Sequence, residues 1–241
     1  VKNQPTPKVK NSSWIKNGID AFVLARLEKE GLKPNPQASK ETLIRRAYYD
    51  LIGLPPNPEQ VQAFLEDNDP KAFEQLVDEL LRMPQYGEKG GRHWLDLVRY
   101  AETNGYERDS EKPEAWRYRD YVIRALNEDK PYDRFIIEQL AGDELPDRNA
   151  DAVIATGFHR LGTWDDEPAD RDLAKYDYLD DILRASTETF LGLTVGCARC
   201  HDHKIDPIPT RDYYGFLAFL HDISPHGKGG TNLVNVPAAE D

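Results

Sequence analysis

Only two cysteines occur in the 241 residues, and both lie in one run, Cys197-Ala198-Arg199-Cys200-His201. Cys-x-x-Cys-His is the attachment pattern of a c-type haem. Each thiol adds to a haem vinyl group as a thioether, and the two-residue gap sets the cysteines at the spacing of the two vinyls. The adjacent imidazole then falls under the iron as proximal ligand. No other short motif in the chain makes so specific a chemical demand.

The same five residues have other uses to weigh. Such a run can arise by chance in an unrelated protein. A thioredoxin-like redox pair wants a strand before it and a helix opening at the first cysteine, whereas Tyr178 to Val195 reads as helix. A structural zinc site wants four ligands. There is no second cysteine pair, and His201 with His203 would complete such a set only with strained local geometry.

The length allows one large domain or two small ones. An apolar fraction of 39% with 10% aromatics supports a packed core. The formal net charge of −12 argues against general nucleic-acid binding, which needs a basic footprint, and gives no reason to expect an anionic-membrane surface site. No run is long and apolar enough for a membrane span. The chain opens at Val1 with no signal peptide in view, so it reads as a processed or excised fragment. Haem attachment of this kind takes place outside the bacterial cytoplasm, so the motif implies an exported protein, periplasmic or secreted.

Read in order, residues 1–16 form a polar linker or extended arm with Pro5 and Pro7. A helix over Asn17 to Leu32 carries Ile19, Phe22, Val23, Ala25 and Leu27 at helical spacing, with Gly31 ending it. Ser39 can cap a second helix with Leu43, Ile44, Ala47, Leu51 and Ile52, stopping at Gly53. Asn57-Pro58-Glu59-Gln60 is a helix start with cap, first-position proline and a third-position glutamine. Asp69-Pro70 repeats the device ahead of Phe73, Leu76, Val77, Leu80 and Leu81. These four helices read as an N-terminal bundle whose apolar faces are core. Residues 17–83 form this part and 84–223 a haem-binding part of a single helical domain, with 224–241 a loose tail.

In the second part, Trp94, Leu97 and Val98 share a helix face, Thr103 to Glu114 is a charged loop, and Ala115 to Leu126 is helical. Further helices follow Pro131 and Asn149, which can cap Ala150 to Phe158. An acidic loop spans Gly162 to Asp172, and a helix runs from about Tyr178 into the motif. Thr210 can cap a last helix. With no strand alternation and no internal repeat, the predicted class is all-α, with long irregular loops and a covalent haem near the C-terminal end.

A haem needs apolar walls and a few polar groups for its propionates. Phe190, Leu191, Leu193 and Val195 precede the motif, and Phe216, Phe219 and Leu220 follow it. Arg199 and Lys204 are close enough in sequence to reach propionates. For the sixth iron position Met83 is the only methionine and ends a helix. His203 is too close to His201 to reach the opposite face, and His221 and His226 read as exposed. The distal candidates are His93, beside Trp94, and His159, after Phe158. An iron with an open sixth position is the other possibility. The carboxylates from Asp165 to Asp172 are enough to hold calcium, but they lack the regular Asp-x-Asp-x-Asp-Gly spacing, and a solvated loop is the preferred reading.

Several segments together resemble a known family. They are Ile19-Asp20-Ala21-Phe22, Leu43-Ile44-Arg45-Arg46, Arg92-His93-Trp94-Leu95-Asp96, Ala101-Glu102-Thr103-Asn104-Gly105-Tyr106 and Trp116-Arg117-Tyr118-Arg119-Asp120-Tyr121. Glu138-Gln139-Leu140-Ala141-Gly142-Asp143, Ala155-Thr156-Gly157-Phe158-His159-Arg160 and the run from Thr194 to Pro209 complete the set. The chain is similar, over nearly its whole length, to the planctomycete secreted cytochrome-like family, in its second-type planctomycete cytochrome C domain. The resemblance implies a haem domain within a large exported protein that often carries a cytochrome domain upstream and another domain downstream. It also implies a tryptophan ahead of the glycine before Arg92, where this chain has Lys89-Gly90-Gly91. The expectation is a monohaem c-type cytochrome domain that relays electrons to a redox partner protein or to neighbouring domains of its own polypeptide. A haem enzyme or small-ligand sensor with an open sixth position, and an interaction scaffold with a structural haem, are the alternatives.

Overall fold

The computed structural model describes residues 4–223 and Val236, and over these the protein is all-α. Among the described residues the only strand-like pairing is an isolated antiparallel bridge between Thr103 and Glu111. The expected tail at 224–241, His226 included, lies almost wholly outside the described residues.

The first four helices are α1 (Gly18–Lys29), α2 (Lys40–Leu51), α3 (Pro58–Glu66) and α4 (Ala72–Leu81). Their starts follow local chemistry. Asn17 accepts from the N–H groups of Ile19 and Asp20 while the Asp20 carboxylate takes those of Lys16 and Asn17, and Asn57 and Gln60 form the same reciprocal box. Each box satisfies backbone donors that the first turn leaves unpaired. Ser39 caps α2 through the Thr42 N–H. Asp69 departs from its expected role. Its carboxylate holds the Lys71 N–H, and α4 begins only at Ala72 with no side-chain cap.

Ile44, Ala47, Tyr48, Ile52, Phe64, Ala72, Leu76 and Leu80 from α2–α4 pack into one apolar cluster. The expectation that all four apolar faces are core fails for α1, and on α4 Phe73 and Leu81 are also exposed. On α1, Ala21 and Leu24 are the buried residues, while Ile19, Phe22 and Val23 are exposed. Periodicity locates a stripe but not the side that the neighbours cover. The polar arm before α1 is tied down where the Glu28 carboxylate receives the backbone N–H groups of Lys10 and Asn11.

The remaining helices are α5 (Pro84–Leu97), α6 (Ala115–Asn127), α7 (Tyr132–Ala141), α8 (Ala150–Ala155), α9 (Arg171–Ser186) and α10 (Thr210–Phe219). α5 starts well before the segment read as helix, because its glycines serve as contact surface. A Cβ at Gly87 would stand 2.4 Å from the Ile123 carbonyl oxygen, and one at Gly91 3.2 Å from Ile123 Cγ1. Asn127 locks the approach, accepting from the Gly87 N–H and donating to the Pro84 carbonyl.

The larger apolar cluster joins α6–α10, with Tyr121, Phe158, Ile182, Leu183 and Tyr213 among its buried residues. It contains a buried charge. Glu138 is 2% exposed and receives hydrogen bonds from Tyr121, Lys130 and Arg134. Burial alone would raise its carboxyl, but these donors outweigh it and hold the group below the usual carboxylate range.

Candidate functional site

The approach to the motif differs from the expected continuous helix. α9 begins at Arg171, capped by Asp170, and ends at Ser186. A wider π-type turn, Thr187–Leu191, follows it, and the chain reverses at Gly192, whose φ of +65° is one that glycine tolerates best. The motif then sits on a 3₁₀ turn, Val195–Arg199.

That turn sorts the motif's side chains. Residues three apart eclipse one another on a 3₁₀ helix. Val195 and Ala198 point inward and are 6% and 0% exposed. Cys197 and Cys200, also three apart, are both exposed, and both are free thiols. Gly196 lets the turn lie close on α9, since a Cβ there would come within 2.8 Å of Arg184 Nε.

His201 is exposed and its ring orientation is set. Nδ1–H donates to the Asp202 carbonyl at 2.8 Å. This places the proton on Nδ1 and leaves the Nε2 lone pair without a hydrogen-bond partner among the described residues. Metal-ligating histidines have this arrangement, one ring nitrogen donating to a carbonyl and the other on the metal. Asp202 also accepts the Thr210 N–H at 2.8 Å and so opens α10, in place of the expected cap by Thr210 itself.

His203 is an internal brace. Its Nδ1 accepts the N–H groups of Ile205 and Asp206, with the Asp206 carboxylate beside it, and Nε2 faces Thr194 Oγ1 at 3.3 Å. This ties the segment before the motif to the loop after it. Arg199 does not extend freely outward. Its guanidinium spans Asp177 and Asp180 on α9 at 2.7 and 3.2 Å, and Tyr213 shares Asp180. The Asp177 carboxylate foremost holds this arginine above its usual pKa, against the opposing effect of burial. Lys204 is exposed.

The expected apolar walls divide into two groups. Phe190 packs inward, with ring centroids 5.9 Å from Trp94 and 5.6 Å from Phe158. Phe216 is half-buried against the main cluster, and Val195 and Leu220 are buried. Leu191 and Leu193 are exposed, as are Phe219 and Ile205, each 85%. Apolar side chains left uncovered on both sides of the Cys-x-x-Cys-His run are what a large flat apolar group would cover. The thiols, the free imidazole nitrogen and these side chains therefore fit a haem.

Each of the two distal candidates has one ring nitrogen engaged, and they differ in burial. His159 Nε2 donates to the Leu140 carbonyl at 3.1 Å, and its Nδ1 is buried without a partner. Burial lowers its pKa, opposed by that carbonyl bond. His93 lies on the exposed side of α5 with only Lys89 Nζ at 3.0 Å. Trp94 is interior, its Nε1 donating to Tyr118 Oη and Gln139 Oε1. His221 is exposed, and Met83 packs against the N-terminal cluster.

The acidic loop is spent on other work. Asp165 takes the Glu167 N–H, Asp166 holds Asn104 and Ser110, Glu167 pairs with Arg108, and Asp170 caps α9. Among the described residues no three His, Cys, Asp or Glu side chains gather as a metal cage, and no helix is long and apolar enough to cross a membrane.

Residues 18–225 match the PSCyt2 family, described as a protein of unknown function (DUF1549). The chain belongs to this family. No curated protein and no solved structure matches it. The PSCyt2 match covers α1 through α10, so the resemblance read from the sequence extends to the family itself. The departure at Lys89-Gly90-Gly91 falls on the α5–α6 contact, where a Cβ at Gly90 would meet Leu126 Cδ1 at 3.2 Å. Sequence reading missed Gly196, Asp177 and Asp180, which seat the motif. Gly196 had a signal in its place immediately before the motif. The aspartates lie about twenty residues upstream and had none.

Proposed function

We propose that this PSCyt2 domain is a monohaem c-type cytochrome domain of an exported protein, with haem joined to Cys197 and Cys200 and His201 as proximal ligand. One observation carries the reading. Two exposed free thiols three residues apart, Cys197 on the 3₁₀ turn and Cys200 just past its end, stand beside an imidazole whose Nδ1–H is tied to the Asp202 carbonyl and whose Nε2 is free. A haem held there supplies one-electron redox chemistry.

The chain's own residues do the rest. Asp202 fixes the tautomer and orientation of His201. Arg199, clamped by Asp177 and Asp180, and Gly196, packed on Arg184, hold the turn rigid on α9. The exposed Leu191, Leu193, Ile205 and Phe219 exclude water from the bound group. Electron relay to a redox partner or a neighbouring domain asks for a sixth ligand, and His93 and His159, each with one ring nitrogen engaged, are the candidates.

The test is the absorption spectrum, oxidised and reduced, of protein made with the bacterial haem-attachment machinery. The expected result is a sharp low-spin reduced band that either His93→Ala or His159→Ala converts to high spin. A covalent but high-spin wild-type spectrum, with ready carbon monoxide binding, would replace electron relay by an enzyme or sensor with an open position.

A further inference from the structure

The haem reading leaves a second region unused. A cleft of about 300 Å³ opens between the Thr103–Lys112 loop, the turn around Gly162 and α9, lined by Arg99, Asn104, Lys112, Gly162, Thr163 and Asp181 among others. Two of the segments that carry the family likeness, Ala101 to Tyr106 and Ala155 to Arg160, contribute to it or lie against it.

Three features there exceed what the fold needs. Arg99 sits just past the end of α5 with φ +54°, a left-handed position where glycine is the inexpensive choice. Its Nε and Nη2 hold the Asp181 carboxylate at 2.6–3.1 Å and its Nη1 donates to the Val98 carbonyl, so N–H groups on both Nη atoms remain unspent. Lys112 Nζ donates to the carbonyls of Leu161 and Gly162 at 3.2 and 2.9 Å and keeps a further N–H. Asn104 is 5% exposed. Its Nδ2 is held by Asp166, while its Oδ1 is buried without a hydrogen-bond partner. An unpaired buried acceptor costs about 1–3 kcal/mol, and a ligand donor would satisfy it.

The charge balance selects the ligand. Asp181 is neutralised by Arg99. Asp109 is occupied by the Gly105 N–H, and Asp166 by Asn104 and Ser110. Lys112 Nζ hydrogen-bonds only to carbonyl oxygens and has no direct carboxylate partner, with Asp181 and Asp109 acting on its charge from further off. An ammonium without a salt-bridge partner, beside the unspent Arg99 N–H groups, matches a carboxylate, and the Asn104 oxygen asks for a hydroxyl donor. We propose that this cleft binds a small hydroxy-carboxylate, the carboxylate held by Lys112 and the free N–H groups of Arg99 and the hydroxyl donating to Asn104.

Burial, with Arg160 and Arg99 nearby, pushes the Lys112 ammonium down to about 8, against the opposing pull of Asp181 and Asp109. Anion binding therefore weakens as pH rises through this range.

Isothermal titration of the whole chain with lactate tests the proposal, with propionate (no hydroxyl) and 1,2-propanediol (no carboxylate) as comparisons. Lactate is expected to bind saturably at pH 7, at least tenfold tighter than either, and to weaken at pH 9. Lys112→Gln should weaken lactate at least tenfold, and Asn104→Leu should abolish the preference for lactate over propionate. Propionate binding as tightly as lactate, no saturable lactate binding at pH 7, or wild-type affinity in Lys112→Gln would overturn it. The comparison of the three compounds on the unaltered chain needs no variant, so it stands even if a substitution unfolds the protein.

Discussion

The two apolar clusters are built on different terms. The one formed by α2–α4 is satisfied by apolar contact alone, around Ile44, Leu80 and their neighbours. Every buried polar residue among those described, Asn104, Glu138, Gln139, Asp180, Ser186 and Thr187, lies in the second part of the chain. There, polar groups are hydrogen-bonded into the core or, at Asn104 Oδ1, buried without a partner at the wall of a cleft. Regular helices with clean caps suffice to build a scaffold. The thiols, the oriented imidazole and the cleft appear where helices break, at the π-type turn, the 3₁₀ turn and the left-handed Arg99.

Removing one residue from each cluster sharpens that contrast. Glu138→Leu leaves Lys130 and the Tyr121 hydroxyl without their partner, and breaking such a buried pair costs about 3–5 kcal/mol. Leu80→Ala, at a fully buried position, is expected to cost about 2–5 kcal/mol as a cavity alone. Chemical denaturation separates the two mechanisms. Adding Lys130→Met to Glu138→Leu should restore part of the loss, whereas no polar change should rescue Leu80→Ala. Equal behaviour of the two sites would break the comparison.

Close backbone contact gives the next largest effect. Gly87→Ala is expected to cost about 1–3 kcal/mol by overpacking against Ile123 and Asn127, measured as a lowered denaturation midpoint. A smaller effect comes from the N-terminal caps. Asn57→Ala should cost about 1 kcal/mol, with no change at the motif.

The second part alone should also respond to mild acid through His159. Its folded pKa lies below the usual 6.5 because the ring is buried. Below pH 6.5 the unfolded chain takes up a proton that the folded ring resists, so stability falls as pH drops. Denaturation at pH 7 and pH 5 should show this loss, and His159→Asn should reduce it.

The sequence made the regular parts readable. Ser39, Asn57 and Asn149 cap the helices they were expected to cap, because a cap acts within three residues of its partner. Long-range choices were not readable. The α1 stripe of Ile19, Phe22 and Val23 has helical spacing whether or not anything covers it. The contact role of the α5 glycines was not readable, because their partner, α6, lies in another segment. Asp170 looked like one more charge in an acidic loop rather than the start of α9. At the motif, spacing named Cys197, Cys200 and His201, and the 3₁₀ period accounts for Val195 and Ala198 turning inward. The tie from Arg199 to Asp177 and Asp180 belongs to tertiary packing.

The most direct measurement of the central claim is the intact mass, under denaturing conditions, of the domain made with the haem-attachment machinery, beside a variant carrying Cys197→Ala and Cys200→Ala. The account predicts a mass increase of one haem on the wild type. It predicts an unmodified, folded variant, because both thiols are exposed and make no core contact. An unmodified wild type would contradict haem attachment. A variant that collapses would make the bound group a structural staple rather than a redox centre.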